Sequence, residues 1–344
     1  MRAVTFQAPE QVRIEEKPDP QIGAPDDAVI RVEASGICGS DLHIYHGRVP
    51  VEPGFTIGHE FVGTVLALGD DVDRVAVGDR VLGCFHTACA TCASCLRGDY
   101  HRCRKGQTFG HGVNLGDLQG AQAEQLLVPR ANLTLRRVPE GMSADVALFA
   151  GDVMGTGYHA VAHAGMRSGD SVAVLGLGPV GLCAVQAALA GGAVQVFAID
   201  TVEERLEMAA SFGATPLHLT EQEPKRAVRA ATDGLGVDVV VDAVGDPGPL
   251  AMAVSLARDA GTVSGIGAYA GRGEVPLGLA WLKGLTLRLG LANVIAHVDR
   301  VLALMEAGKL DPAPLVTHRM KLDQVSEAYE LYDQREALKI VLTP

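Results

Sequence analysis

Five of the seven cysteines fall between Cys84 and Cys103. Four of them, Cys89-x-x-Cys92-x-x-Cys95 and then Cys103, stand at a spacing that lets four thiolates converge on one tetrahedral zinc. The turn residues Arg97-Gly98-Asp99 sit between the third and fourth. Four sulfurs leave no open coordination position, so such a site is structural. A cluster of buried or redox-active thiols is the competing reading. Soft ligands packed this closely in a reducing compartment favour metal over a disulfide framework.

A second chemical signal is Gly176-Leu177-Gly178-Pro179-Val180-Gly181. By itself this pattern is weak. Here it follows the β-type run Ser171-Val172-Ala173-Val174-Leu175, opens an apolar helix and is followed by Asp200 at the end of the next strand. That context is the dinucleotide fingerprint. Gly176 permits a tight turn, Gly178 admits a pyrophosphate to the helix N-terminus, and Gly181 allows close helix–sheet packing. A carboxylate at Asp200 accepts ribose hydroxyls and repels a 2′-phosphate, with Glu203 and Glu204 adding negative charge. NAD is therefore expected over NADP. A third constellation is Cys38-Gly39-Ser40-Asp41-Leu42-His43, with Gly58-His59-Glu60 further on. Cys38 and His59 could be two ligands of a second metal, although a structural histidine leaves the same sequence pattern.

The elements that must position these residues change character along the chain. Short β runs punctuated by Gly and Pro, among them Val29 to Ala34, Phe61 to Leu68 and Gly78 to Gly83, predict a small irregular barrel. From Ser171 onward β runs alternate with helices, and Val237 to Val241 reads as a strand apolar but for Asp238, which predicts a doubly wound parallel sheet. Later come strands at Gly261 to Ile266 and Leu285 to Leu289, and helices around Asp299 to Ala307 and Asp323 to Tyr332. The last run, Ala337 to Leu342, reads as an apolar strand able to return to the first domain.

At 344 residues, two domains are the natural expectation. Hydrophobic residues at 48% and a mean hydropathy of +0.19 supply the cores. A formal charge of -12 disfavours nucleic acid or an anionic membrane as partner. No uncharged apolar run reaches the roughly 18–20 residues of a membrane span. The opening MRAVTFQAPEQVRIEEK has no apolar signal-peptide core. A cytoplasmic protein is expected.

Gly58-His59-Glu60-x-x-Gly63-x5-Gly69-x-x-Val72, together with the Cys89/Cys92/Cys95/Cys103 lobe and the Rossmann segment, resembles the zinc-containing medium-chain alcohol dehydrogenases. The likeness is greatest to the short bacterial tetrameric members, and it runs from the first strand to the C-terminus. It implies a GroES-like catalytic domain of residues 1–152 and 294–344 around a Rossmann coenzyme domain of 153–293. It makes Cys38 and His59 ligands of a catalytic zinc. Many members supply a cysteine as third ligand, but none lies between Cys103 and Cys183. Asp152, in Ala150-Gly151-Asp152-Val153, resembles the aspartate that a subset of members uses, with Glu60 as an alternative or exchanging ligand. A helix cap at Val153 is the plainer use of such an aspartate.

The resemblance further implies that Asp41 orients His59. Zinc acidifies the alcohol, and Ser40 takes its proton and passes it through the cofactor ribose to His43 and solvent. Hydride goes to NAD. Thr156, Leu177, Pro179, Val180, Arg205, Val244, Ile266, Ala268, Leu291 and Ala292 are implied around the cofactor, and Phe85 in the substrate pocket. A homotetramer acting on a small alcohol, aldehyde or ketone is implied as well. Rival readings are a polyol, threonine or formaldehyde dehydrogenase on this scaffold, or a non-enzymatic dinucleotide binder. The last has no need of Cys38, Ser40, His43 and His59.

Overall fold

A computed structural model describes residues 1–269 and 273–344. The chain divides into two compact units. One comprises Met1–Asp152, Asn293–Glu306 and Asp311–Pro344, and the other Val153–Ala292 with Ala307–Leu310.

The first unit opens with the hairpin β1 (Arg2–Ala8) and β2 (Gln11–Glu16). Its main sheet contains β3 (Ala28–Ile37), β4 (Phe61–Leu68), β5 (Arg80–Gly83), β6 (Gln125–Val128) and β7 (Leu135–Arg137). Between these strands lie the helices α1 (Gly39–Tyr45), α2 (Ala93–Leu96) and α3 (Ala131–Thr134); α4 (Ala144–Ala147) follows. The interior of this sheet is filled by Ile30, Phe61, Val65, Val81, Phe109 and Leu126.

The second unit begins with α5 (Val153–Ala164). It alternates β8 (Ser171–Leu175), α6 (Pro179–Ala190), β9 (Gln195–Asp200), α7 (Glu203–Ser211), β10 (Thr215–His218), α8 (Pro224–Ala231), β11 (Val237–Asp242), α9 (Pro247–Leu256), β12 (Ala257–Gly265), α10 (Leu277–Lys283) and β13 (Thr286–Leu289). The strands lie in the order β10-β9-β8-β11-β12-β13, all parallel. This is the 3-2-1-4-5-6 order of a doubly wound dinucleotide fold. The apolar run of β11 is buried as expected of a strand covered on both faces.

The chain then supplies α11 (Val294–Glu306), β14 (His318–Lys321), α12 (Val325–Asp333) and β15 (Ile340–Thr343) to the first unit. β15 lies antiparallel on β3, with Ile340 opposite Ile37 and Val341 opposite Gly36. Ile37, Ile44, Tyr329, Ile340 and Leu342 form the core beneath this junction.

The structure corrects the sequence reading in one useful place. β3 runs on through Ser35-Gly36 to Ile37, where the glycine suggested a break after Ala34. Gly36 stays in the strand because the site needs it bare: a Cβ there would fall 2.1 Å from Glu60 Oε2. No helix among the described residues is long and apolar enough to cross a membrane.

Candidate metal centres and dinucleotide site

Strand ends deliver the first centre. β3 ends at Ile37, Cys38 caps α1, His59 and Glu60 enter β4, and Asp152 follows the short helix Leu148–Gly151. Ligand atoms of Cys38, His59, Glu60 and Asp152 all lie within 4.8 Å of one another. His59 Nε2 is 3.1 Å from Asp152 Oδ2. His59 Nδ1 faces Asp41 Oδ1 at 3.1 Å, while Asp41 Oδ2 accepts from the Cys38 backbone N–H at 2.9 Å. Asp41 thus ties the capped turn to the ring. Gly58, at φ +90°, sets the approach of His59, and a Cβ there would meet Gln122 Cγ at 2.5 Å.

Electrostatics at this centre are dominated by burial. Burial disfavours an imidazolium at His59, but Asp41 and Asp152 outweigh it and raise the pKa well above the ordinary value. Burial likewise opposes ionisation of Asp152, and the bond and charge of His59 overcome it, holding the carboxyl low. Burial pushes the Cys38 thiol up, with Asp152 adding to the effect. Burial also lifts Glu60 to about 7, against the opposing charge of Lys339. One imidazole between two carboxylates, beside a thiol, calls for a further positive charge. A zinc ion meets that need: tetrahedral N and O ligands at about 2.0–2.2 Å stand roughly 3.3–3.6 Å apart, close to the 3.1 Å between His59 Nε2 and Asp152 Oδ2. The donor set fits a cation.

Around this centre Ser40 Oγ lies 3.4 Å from His59 Nε2. His43 follows one turn along α1. Burial, with Arg48 and His46 nearby, lowers its pKa, and its Nδ1 has no hydrogen-bond partner among the described residues. The ring of Phe85 meets that of His59 edge-on at 6.2 Å.

The second centre is the cysteine lobe. Cys92 Sγ lies 3.6 Å from Cys95 Sγ and 4.0 Å from Cys103 Sγ, and Cys89 Sγ lies 4.0 Å from Cys95 Sγ. A tetrahedron of sulfurs about 2.3 Å from zinc has S···S separations of about 3.8 Å. All four are free thiols. Backbone N–H groups of Cys89 and Lys105 donate to Cys103 Sγ at 3.2 and 3.4 Å, and that of Cys92 donates to Cys89 Sγ at 3.3 Å. These four residues also fit zinc.

In the second unit Gly178 caps α6 with Pro179 following, and nothing lies within 4 Å of where its Cβ would be, so an anion has room to approach. Gly176 turns at φ +81°, and a Cβ on Gly181 would strike Gly176 O at 1.8 Å. Asp200 ends β9 and accepts from Leu177 N at 2.5 Å, Thr201 N at 2.6 Å and Val202 N at 3.1 Å. A carboxylate has roughly four acceptor sites, so capacity for a ribose hydroxyl remains. Thr156 is buried on α5 and Arg205 half-buried on α7. Val244 and Leu291 are exposed, Ala292 is buried, and Val180 and Ile266 are half-buried.

Three contributors escaped the sequence reading. Lys339 is fully buried with Nζ 2.5 Å from the Glu60 carboxylate. His111 packs its ring on His59 at 4.9 Å, its Nδ1 on Phe109 O. Asp242, at the end of β11, accepts from Val244 N at 2.9 Å, Gly245 N at 3.3 Å and the Tyr269 hydroxyl at 2.6 Å. Only Asp242 left a signal, a carboxylate closing a strand that is apolar but for Asp238.

Residues 24–140 match the family described as the alcohol dehydrogenase GroES-like domain, and residues 179–307 match the zinc-binding dehydrogenases. The structure superposes on an alcohol dehydrogenase from Thermus sp. ATN1 with a TM-score of 0.96 at 46% identity, covering 100% of this chain and 99% of that one. A probable zinc-binding alcohol dehydrogenase of Mycobacterium tuberculosis is 39% identical over 100% of this chain and 89% of its own. An L-threonine 3-dehydrogenase of Bacillus licheniformis is 35% identical over 92% and 91%.

Proposed function

Because the chain belongs to the zinc-containing medium-chain alcohol dehydrogenases, NAD-linked oxidoreductases of CH–OH groups, we propose that Cys38, His59 and Asp152 hold its catalytic zinc and that it interconverts an alcohol with its aldehyde or ketone. The observation that carries this reading is the 3.1 Å approach of His59 Nε2 to Asp152, with the Cys38 thiol in the same cluster. One thiolate and one carboxylate match the dication, and three protein ligands leave a position for substrate. Residues 1–152 with 294–344 form the catalytic domain, and 153–293 the coenzyme domain.

When bound, zinc supplies a Lewis acid that lowers the pKa of the substrate hydroxyl, and NAD supplies the hydride acceptor. The chain's own residues do the rest. Asp41 takes the Nδ1 proton of His59 in a hydrogen bond and leaves Nε2 for the metal. Ser40 Oγ receives the hydroxyl proton and hands it on to His43, whose unpartnered Nδ1 suits an acceptor in that relay. Phe85 walls the substrate side. Cys89, Cys92, Cys95 and Cys103 hold a second zinc that fixes the lobe. Gly178 and its helix receive the pyrophosphate, and Asp200 the adenosine ribose.

A cytoplasmic setting suits seven free cysteines. A homotetramer is supported by the edge strand β13 and by Trp281, 83% exposed, beside Leu282 on α10. The threonine dehydrogenase relative keeps a hydroxy-amino acid substrate as the second reading. The test is NAD reduction against primary, secondary, cyclic and polyhydroxy alcohols and L-threonine, before and after zinc is removed. Turnover of simple alcohols that vanishes with the metal is expected. Threonine alone as substrate would select the second reading, and metal-independent turnover would reject both.

A further inference from the structure

The first centre holds one ligand too many. Four protein groups within 4.8 Å of one another would close a zinc ion to substrate. What distinguishes Glu60 from the other three is Lys339. Pairing of β15 with β3 sets Ile340 opposite Ile37 and so carries Lys339 beside the Cys38 turn. Its ammonium has three N–H donors and three partners: Ile37 O at 3.1 Å, Glu60 Oε1 at 2.5 Å and the face of Phe149, whose centroid is 5.7 Å away. Both side chains of the ion pair are fully buried. The charges then fall into separate sets, Cys38 and Asp152 against the metal and Glu60 against Lys339, with Asp41 held on the His59 ring and the Cys38 N–H.

We propose that Lys339 is a positioning residue that holds the Glu60 carboxylate off the catalytic metal and thereby keeps one coordination position for substrate. Without the ammonium a buried Glu60 carboxylate has lost its counter-ion, and it keeps its charge only by taking the zinc as its partner in place of Lys339. Glu60 then turns to the metal and closes the site. The proposal rests on Cys38, His59 and Asp152 being the ligands. Full zinc content in Asp152→Ala would defeat that reading whatever the Lys339 variants do.

The test uses zinc-loaded holoenzyme carrying Lys339→Met, Lys339→Arg or the double change Lys339→Met with Glu60→Gln. Crystal structures and the rate at which the catalytic zinc passes to a chelator are the readouts, with kcat alongside. In Lys339→Met a Glu60 oxygen should lie about 2.0–2.2 Å from the metal. Zinc release should slow at least tenfold and kcat should fall at least tenfold. Lys339→Arg and the double variant should release zinc at the wild-type rate. A merely structural lysine would instead speed zinc release when removed. Glu60 remaining off the metal in Lys339→Met, or faster release, overturns the proposal. Should that variant fail to accumulate, Lys339→Gln keeps a donor for Ile37 O without the charge and takes the same readouts. Failure of both to fold would make Lys339 a fold-stabilising residue and would likewise overturn it.

Discussion

Asp152 carries the sharpest residue-scale consequence. A helix cap would tolerate Asn, and Ala would cost only about 1 kcal/mol. A zinc ligand tolerates neither: Asp152→Asn and Asp152→Ala should lose the catalytic zinc and at least about a hundredfold in kcat/KM, measured by metal analysis and NADH formation. His43 gives a pH prediction. Only its neutral ring can accept the relayed proton, and its pKa lies below the ordinary 6.5 because of burial and Arg48. The acidic limb of the rate profile should therefore fall below that value as protonation removes the acceptor. His43→Gln should flatten that limb and slow turnover by about 10²–10⁴-fold. At Asp200 the carboxylate accepts from Leu177 N, and its proposed role is to repel a 2′-phosphate. Asp200→Ser should narrow the preference for NAD over NADP, read as the ratio of kcat/KM values, and equal activity with NADP in the wild type would refute the assignment.

At the scale of elements, the site depends on strands that stop in the right place. Gly58→Ala puts a side chain on a φ of +90° and drives its Cβ to 2.5 Å from Gln122. Gln122 also donates to Gly36 O and accepts from Tyr329, so the strain would spread beneath His59. The variant should lose roughly 1–3 kcal/mol of stability, seen in thermal unfolding, and retain less catalytic zinc. The cysteine spacing, the GxGxxG turn and Asp200 were legible in the sequence because each is a local pattern whose chemistry constrains its own neighbours. Asp152 was legible only through the family resemblance, since nothing local separates a ligand there from a cap. Lys339 and Gln122 could not be read at all. Their partners Glu60 and Tyr329 lie 279 and 207 residues away in the chain. Lys339 moreover interrupts an apolar terminal run in which a charge would be expected to face solvent.

For the whole molecule, two zinc centres of different kinds in one chain organise the proposed function. In that proposal four sulfurs at near-tetrahedral separations close one, while Cys38, His59 and Asp152, with Glu60 held by Lys339, leave the other a position for substrate. The most direct measurement is zinc per chain and alcohol-dependent NADH formation, made together on wild type, Cys38→Ala and Cys92→Ala. The wild type should carry two zinc ions and turn over. Cys38→Ala should keep one zinc and a folded chain with no turnover. Cys92→Ala should lose the other zinc together with soluble assembly. A wild type that turns over with one zinc or none, or a Cys38→Ala enzyme that keeps both its metal and its activity, would contradict the account.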